Sequence, residues 1–475
     1  MINFLKKSIA KIWAKNHVAK TEDFKNNAEV LQEKLLLDLV KKSEKTLFGL
    51  QHNFSEIKSV EDFQKNVKIS DYEDLKPFVE KVKHGDKNIL WPEKPEYFAK
   101  TSGTTSGTKY IPLTKEGMDY QVKAAQSALF HYIAQKNNAD FVNGKMIFLQ
   151  GSPELEDIND IKTGRLSGIV AHHIPKYLQK NRLPSYETNC IEDWETKVDK
   201  IVEETEKENM TLISGIPPWL IMYFEKLIER NGKKIKQLFP NLQLIVTGGV
   251  NYEPYREKME ELLGGKVDII QTFPASEGFF AFQDDYQKEG LLLQTNHGIF
   301  YEFVPLEEYG KENARRLTLK EVELNKDYAL ILTTNSGLWA YSIGDVVRFI
   351  SKNPHRILVS GRTKHFTSAF GEHVIAFEVE EAMKATVEKF PAQITEFHLA
   401  PQVNPENGEL PYHEWFIEFE KEPENLEDFR QNLDAEMRKR NTYYDDLIAG
   451  NILQVLKITK LQKNAFQEYA KSEGK

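Results

Sequence analysis

The feature that most restricts the fold of this 475-residue chain is a set of short apolar segments separated by helical ones. Segments 145–149, 210–214, 242–247 and 267–271 are five or six residues long, rich in Ile, Leu and Val, and read as strands. Between them, 193–208, 218–230 and 253–263 carry helical periodicity. Strand alternating with helix predicts an α/β layered fold with mainly parallel pairing. Residues 290–350 are strand-rich, as at 298–304 and 328–334, and predict an antiparallel portion.

Upstream, 21–90 reads as helical, with Leu31, Leu35, Leu36, Leu39 and Val40 at helix spacing and a helix start at Ser70-Asp71-Tyr72-Glu73. Another helix is expected from Thr114 through Ala134. After Gly361-Arg362 the pattern resets. Strands at 394–400 and 414–420 flank a turn containing Asn404-Pro405-Glu406-Asn407-Gly408, and helix 425–440, strand 451–458 and helix 461–472 follow. The expected architecture is therefore a large N-terminal domain (1–362) of α/β layers with an antiparallel β portion. A small mobile C-terminal α+β domain (363–475) completes it.

Composition excludes several classes of function. The net charge of -9 is not gathered in a tail, so nucleic acid is not an expected partner. No apolar run is long enough to cross a bilayer. Cys190 is the only cysteine, which rules out an intrachain disulfide and fits a cytoplasmic protein. Residues 1–20 set Lys6, Lys7, Lys11, Lys15 and Lys20 among Ile2, Phe4, Leu5, Ile9, Ile12 and Trp13, the pattern of an amphipathic helix. Such helices can lie on membranes; the expectation here is a first helix laying its apolar stripe on the body of the protein.

Chemistry concentrates in Thr101-Ser102-Gly103-Thr104-Thr105-Ser106-Gly107-Thr108-Lys109. Hydroxyls and unobstructed backbone N–H groups can wrap phosphate oxygens, and a cation offsets their charge. The glycine spacing is not that of a Walker A loop. Apolar stretches on either side, Tyr97-Phe98 and Tyr110–Leu113, favour a loop held between two strands over a surface linker.

This loop resembles the phosphate loop of adenylate-forming enzymes, and especially that of the GH3 family of acyl-acid amido synthetases. Two further segments follow in that family's order. Gln271-Thr272-Phe273-Pro274-Ala275-Ser276-Glu277 is similar to its Thr-Tyr-x-Ser-Ser-Glu segment, with Phe273 for tyrosine and Ala275 for the first serine. Tyr341-Ser342-Ile343-Gly344-Asp345 is similar to its Tyr-Arg-x-Gly-Asp segment, with Ser342 for arginine. The resemblance implies ATP as cosubstrate, bound by Thr101–Ser106, Gly249, Thr272, Phe273, Ser276, Asp345 and Arg362. Phe273 would lie against adenine, Asp345 would accept both ribose hydroxyls, and Glu277 would hold Mg²⁺. Lys109 and Glu277 would be the catalytic groups. Taken singly, Glu277 also reads as a helix N-terminal carboxylate and Asp345 as a turn residue after Gly344.

Other segments are less specific. Gly248-Gly249-Val250 reads equally as a close backbone approach to a nucleotide or as a plain strand–helix turn. Residues 214–219 and 164–168 would border an acyl pocket, with Arg165 more simply a surface arginine. His172-His173 lacks partners at metal-ligand spacing. Residues 361–366, continuing to 371–374, resemble the hinge of adenylate-forming enzymes. The implied reaction is ATP-dependent adenylation of a carboxylic acid, then acyl transfer to an amine, an amino acid in the GH3 pattern. An acyl-CoA ligase and a non-catalytic nucleotide-binding protein are the competing readings. GH3 proteins carry a catalytic lysine in a Gln-x-Lys-x-Pro-Arg-like tail, whereas here the last predicted helix leads only to Gly474-Lys475. Either the enzyme dispenses with that residue or the chain is shorter than the natural one; the second is the expectation, with slow adenylation for want of the tail.

Overall fold

The computed structural model describes residues 2–101, 108–174, 179–191, 194–249, 252–363, 374, 376–402, 405, 409–449 and 453–472. The chain forms two compact units, Met1–Ile343 with Val347–Val359, and Gly344–Val346 with Ser360–Lys475.

Strands of the first unit begin with β1 (Tyr97–Thr101), β2 (Lys109–Leu113), β3 (Lys145–Phe148), β4 (Glu156–Ile158), β5 (Ile161–Arg165) and β6 (Arg182–Leu183). Next come β7 (Met210–Ser214), β8 (Leu244–Gly248), β9 (Asp268–Ala275), β10 (Gly278–Phe282) and β11 (Leu291–Leu293). β12 (Ile299–Pro305) and β13 (Asp327–Thr334) follow, and β14 (Tyr341–Lys352) and β15 (His355–Arg362) give residues to both units. One sheet has the order β2-β1-β5-β4; a second, of eleven strands, runs β12-β13-β14-β15-β11-β10-β9-β8-β7-β3-β6.

The apolar alternation produced the parallel section as expected. β6, β3, β7, β8 and β9 pair in parallel, because helices such as Trp194–Thr205, Pro217–Asn231 and Arg256–Leu263 return the chain between strands. Local chemistry fixes those helices. Pro217 opens one, and Gly232 (φ 66°) and Gly264 (φ 59°) close two in the left-handed conformation. Helix Tyr72–Lys83 starts on Asp71, whose carboxylate accepts from Glu73 N at 2.9 Å while Asp74 reaches back to Asp71 N. The antiparallel portion is also present, with β12 and β13 in register from Ile299↔Thr334 to Pro305↔Tyr328.

The first helix, Ile2–Asn26, departs from expectation in its orientation. Through most of its length the packed face is made of small and polar residues, with Phe24 buried near the end. Ala14 is fully buried, His17 Nε2 and Ser127 Oγ lie 2.7 Å apart, and Thr21 Oγ1 meets His131 Nε2 at 3.3 Å. Ile9, Ile12 and Trp13, the expected buried stripe, are exposed. Small residues let two helix backbones approach closely, and that contact prevails over burying the larger side chains. No described helix is long and apolar enough to cross a membrane.

In the second unit β16 (Gln393–Gln402), β17 (Tyr412–Lys421) and β18 (Lys457–Leu461) form a sheet in that order. Trp415 and Ile417 of β17 pack with Phe429, Leu433 and Met437 of helix Leu426–Arg440. The strand expected at 451–458 lies later, because Leu453 and Leu456 are core fillers and pairing with β17 begins at Lys457. Of the expected turn, 404 and 406–408 lie outside the described residues, as does Lys475.

Candidate active site

β1 and β2 are the roots of the Ser/Thr/Gly segment. They pair antiparallel from Tyr97↔Leu113 to Thr101↔Lys109, so the segment is held between two strands. Ser102, Gly103, Thr104, Thr105, Ser106 and Gly107 lie outside the described residues. β1 is an interior strand, bonded also to β5 through Lys100↔Arg165. β2 is at the sheet edge, where Tyr110 N donates to Tyr72 Oη at 2.9 Å. The Lys109 ammonium sits 5.7 Å from the centre of the same Tyr72 ring.

The chain leaves β2 through Thr114, which caps helix Lys115–Lys136 by accepting from Gly117 N at 3.0 Å. Thr114 Oγ1 donates to Asn335 O at 3.0 Å, and Thr114 N donates to Ser336 Oγ at 3.1 Å. The helix start is thereby pinned to the turn after β13. One helical turn beyond Gly117, Gln121 is buried and its Nε2 reaches Ser276 O at 3.5 Å.

Ser276 and Glu277 form the two-residue tip of the β9–β10 hairpin, with Ala275 opposite Gly278. Glu277 is thus not a helix N-terminal carboxylate. Leu113, Gln121, Glu277, His297, Asn335 and Ser336 line one small cavity of about 10 Å³, which joins the exit of β2 to this tip. Burial pulls the His297 imidazole down to about 4, helped by His17 and Lys123, so the ring is neutral at physiological pH.

β8 and β9 run side by side with Gly248 opposite Thr272. Thr272 Oγ1 donates to Thr247 O at 3.0 Å. A Cβ at Gly248 would fall 2.5 Å from Thr272 Oγ1 and 2.6 Å from its carbonyl oxygen, so only glycine fits. Gly249 follows in the left-handed region at φ 85° and is exposed, presenting bare backbone where the parallel strands end. Phe273 points into the core, its ring 8% exposed and edge-on to Phe280 at 5.0 Å.

The second unit holds Asp345 and Arg362. Asp345 lies within β14 rather than in a turn, after Gly344 at φ 83°. Arg362 Nε approaches Asp345 Oδ1 at 3.3 Å, and Thr363 N donates to Gly344 O at 2.6 Å. Burial pushes the Asp345 carboxyl up to about 6, against the opposing pull of Arg362. Residues 364–373 of the expected hinge lie outside the described residues. Ser342, where the resembling segment has arginine, is tied to Tyr309 Oη at 2.8 Å, and its N donates to Ser70 O.

Sequence reasoning passed over Gln121, His297, Asn335 and Ser336. No sequence signal marks the first, since helix Lys115–Lys136 has no sharply apolar face; the others come from distant loops. It also passed over Lys197, buried in helix Trp194–Thr205, whose ammonium donates to Gln150 O at 3.0 Å and Asn189 O at 2.6 Å. Arg165 is exposed on the strand that flanks β1, and His172 and His173 bond to Pro153 O and Tyr97 Oη.

Solved structures share this fold. AtGH3.15 acyl acid amido synthetase in complex with 2,4-DB superposes with a TM-score of 0.80, at 17% identity, over 97% of this chain and 92% of that one. For 2-hydroxyisobutyryl-CoA ligase in the postadenylation state the score is 0.63, at 12% identity, over 93% and 87%. The fold is that of the adenylate-forming enzymes. Profiles of the GH3 family match residues 17–181 and 159–269 (N-terminal domain), 292–362 (central domain) and 377–475 (C-terminal domain). The chain belongs to the GH3 family. Jasmonoyl–L-amino acid synthetase JAR4 of Nicotiana attenuata is 23% identical over 60% of this chain and 60% of that protein. Probable indole-3-acetic acid-amido synthetase GH3.1 of Arabidopsis thaliana is 21% identical over 69% and 65%. These matches span less than two thirds of either relative's length.

Proposed function

We propose that the protein adenylates a carboxylic acid with ATP and transfers the acyl group to the amine of an amino acid, as a cytoplasmic enzyme. The observation that carries this reading is the meeting of the loop's return strand and the Glu277 hairpin tip around one cavity, with Gln121 bridging to Ser276. The residues fit a nucleotide. Gly249 presents bare backbone where the parallel strands end, and Asp345 is a carboxylate set beside a guanidinium.

In the proposed first step a carboxylate oxygen attacks the α-phosphorus in line and the bond to pyrophosphate breaks. Two anions must approach, so cationic and backbone-donor groups carry the catalysis. Lys109 would supply charge and Thr101 with the loop residues 102–106 the donors. Gly249 and Thr272 would offer backbone to the nucleotide, Ser276 would support the hairpin tip, and the exposed part of Phe273 would meet adenine. In the second unit Asp345 would accept the ribose hydroxyls, with Arg362 alongside. Mg²⁺, held by Glu277, would neutralise phosphate charge. In the second step the amine nitrogen attacks the acyl carbonyl, the C–O bond to AMP breaks, and the amine loses a proton.

A screen of carboxylates for ATP–pyrophosphate exchange finds the acid. With that acid, added amino acids should raise AMP release while coenzyme A does not. A mass spectrum showing acyl-CoA and no amide would overturn the choice of acceptor, and absence of exchange with every acid would overturn the enzyme reading.

A further inference from the structure

The first helix carries an apolar face that the fold leaves in solvent. Ile9, Ile12 and Trp13 are 40%, 58% and 57% exposed, on the side away from the packed residues Ala10, Ala14 and Thr21. In the sequence the same spacing continues back to Leu5 and Ile2. Residues 1–20 contain five lysines and no Asp or Glu, although the whole chain carries a net charge of -9. Lys7 is engaged with Asp140 at 2.5 Å, whereas Lys6, Lys15 and Lys20 stand exposed.

We infer that this face docks the protein on an anionic lipid surface, with Ile9, Ile12 and Trp13 entering the headgroup boundary and the lysines meeting lipid phosphates and carboxylates. A tryptophan is suited to that boundary, apolar in its body and polar at its N–H. Lysines lay their stems along the helix and keep their heads in the charged layer. A second copy of the chain is a poor occupant, because it would set two unbalanced lysine clusters against each other. A single convex stripe also presents far less than the ~800 Å² per side of a stable protein interface, whereas partial insertion into lipid needs only a few apolar side chains.

The test is flotation of the full chain with phosphatidylcholine vesicles, with and without phosphatidylserine. Binding should require phosphatidylserine and weaken with salt. The pair Lys11→Gln/Lys15→Gln should weaken it about 25-fold, at roughly fivefold per lysine near an anionic surface. Ile12→Gln/Trp13→Gln should abolish it with an unchanged melting temperature, since both side chains lie in solvent. Equal binding to both vesicle types, binding to neither, or full retention by Ile12→Gln/Trp13→Gln would refute the inference. So would sedimentation showing a dimer that Trp13→Gln dissolves in a chain that does not float.

Discussion

If Asp345 accepts hydrogen bonds from both ribose hydroxyls, it must be ionised to do so, and burial makes that state sensitive to mild acid. Its side chain is 15% exposed, its guanidinium neighbour lies 3.3 Å away, and its carboxyl titrates at about 6. At pH 5 only about one molecule in ten then carries the ionised form, so affinity for the nucleoside should fall about tenfold between pH 8 and pH 5. Calorimetry with adenosine is the suitable assay, because the phosphate of AMP titrates in the same range and would confound the slope. Asp345→Asn should bind more weakly at pH 8 and show no slope. The same residue has a signature in stability. A carboxyl whose folded value is raised holds its proton more tightly in the fold, so its stabilising contribution is full below about pH 4 and is lost as pH rises through about 6. Asp345→Asn should remove that component from the urea midpoint. Parallel pH slopes for adenosine in the two proteins would show that another group titrates, and unchanged affinity in Asp345→Ala would end the ribose assignment.

Three further perturbations follow from described contacts. Glu277→Ala should leave AMP affinity intact and lower the rate of pyrophosphate exchange by ~10²–10³, the size of losing one electrostatic contact to the transition state; equal losses in both would argue for a merely structural tip. Glu302, fully buried, receives Arg316 Nε at 2.9 Å and Nη2 at 2.7 Å, and the Arg316 side chain is 8% exposed, so Glu302→Ala should cost ~3–5 kcal/mol in urea unfolding by removing the guanidinium's counter-charge. A loss under about 1 kcal/mol would contradict that burial argument. Gly248→Ala should destabilise by ~1–3 kcal/mol, since the new Cβ meets backbone that cannot swing aside; a wild-type melting temperature would mean that β8 and β9 part more easily than their register suggests.

Much of the fold was legible because burial on both faces leaves a sequence mark. β7 and β8 are short, mainly apolar runs, and β12 and β13 likewise read as strands. The extension of β9 to Ala275 was not legible, because Gln271 and Thr272 break the apolar run and Pro274 argues against an interior strand. Its partner there is β10, with Phe279 opposite Pro274 beside an irregularity in the register. The orientation of the first helix was hidden for a different reason. Periodicity marks a face as apolar but does not say whether Ile12 and Trp13 or Ala10 and Ala14 will meet a neighbouring helix. Within the candidate site, the loop roots, the hairpin tip and Asp345 were marked by composition and motif. Asn335 and Ser336 were not, since contacts over more than two hundred residues of sequence leave no local pattern.

The two roots of the Ser/Thr/Gly hairpin are unequal, and amide hydrogen exchange would register the difference. β1 is bonded to a strand on each side, so releasing its amides requires breaking two ladders of the sheet. β2 has one ladder only, and its outward Tyr110 amide is held by a single tyrosine hydroxyl. Amides of Phe98 to Lys100 should therefore exchange through large-scale opening, and that of Tyr110 through local fluctuation of the edge. The same hydroxyl occupies a donor that an incoming strand would otherwise use, so Tyr72 guards this edge against pairing with another chain.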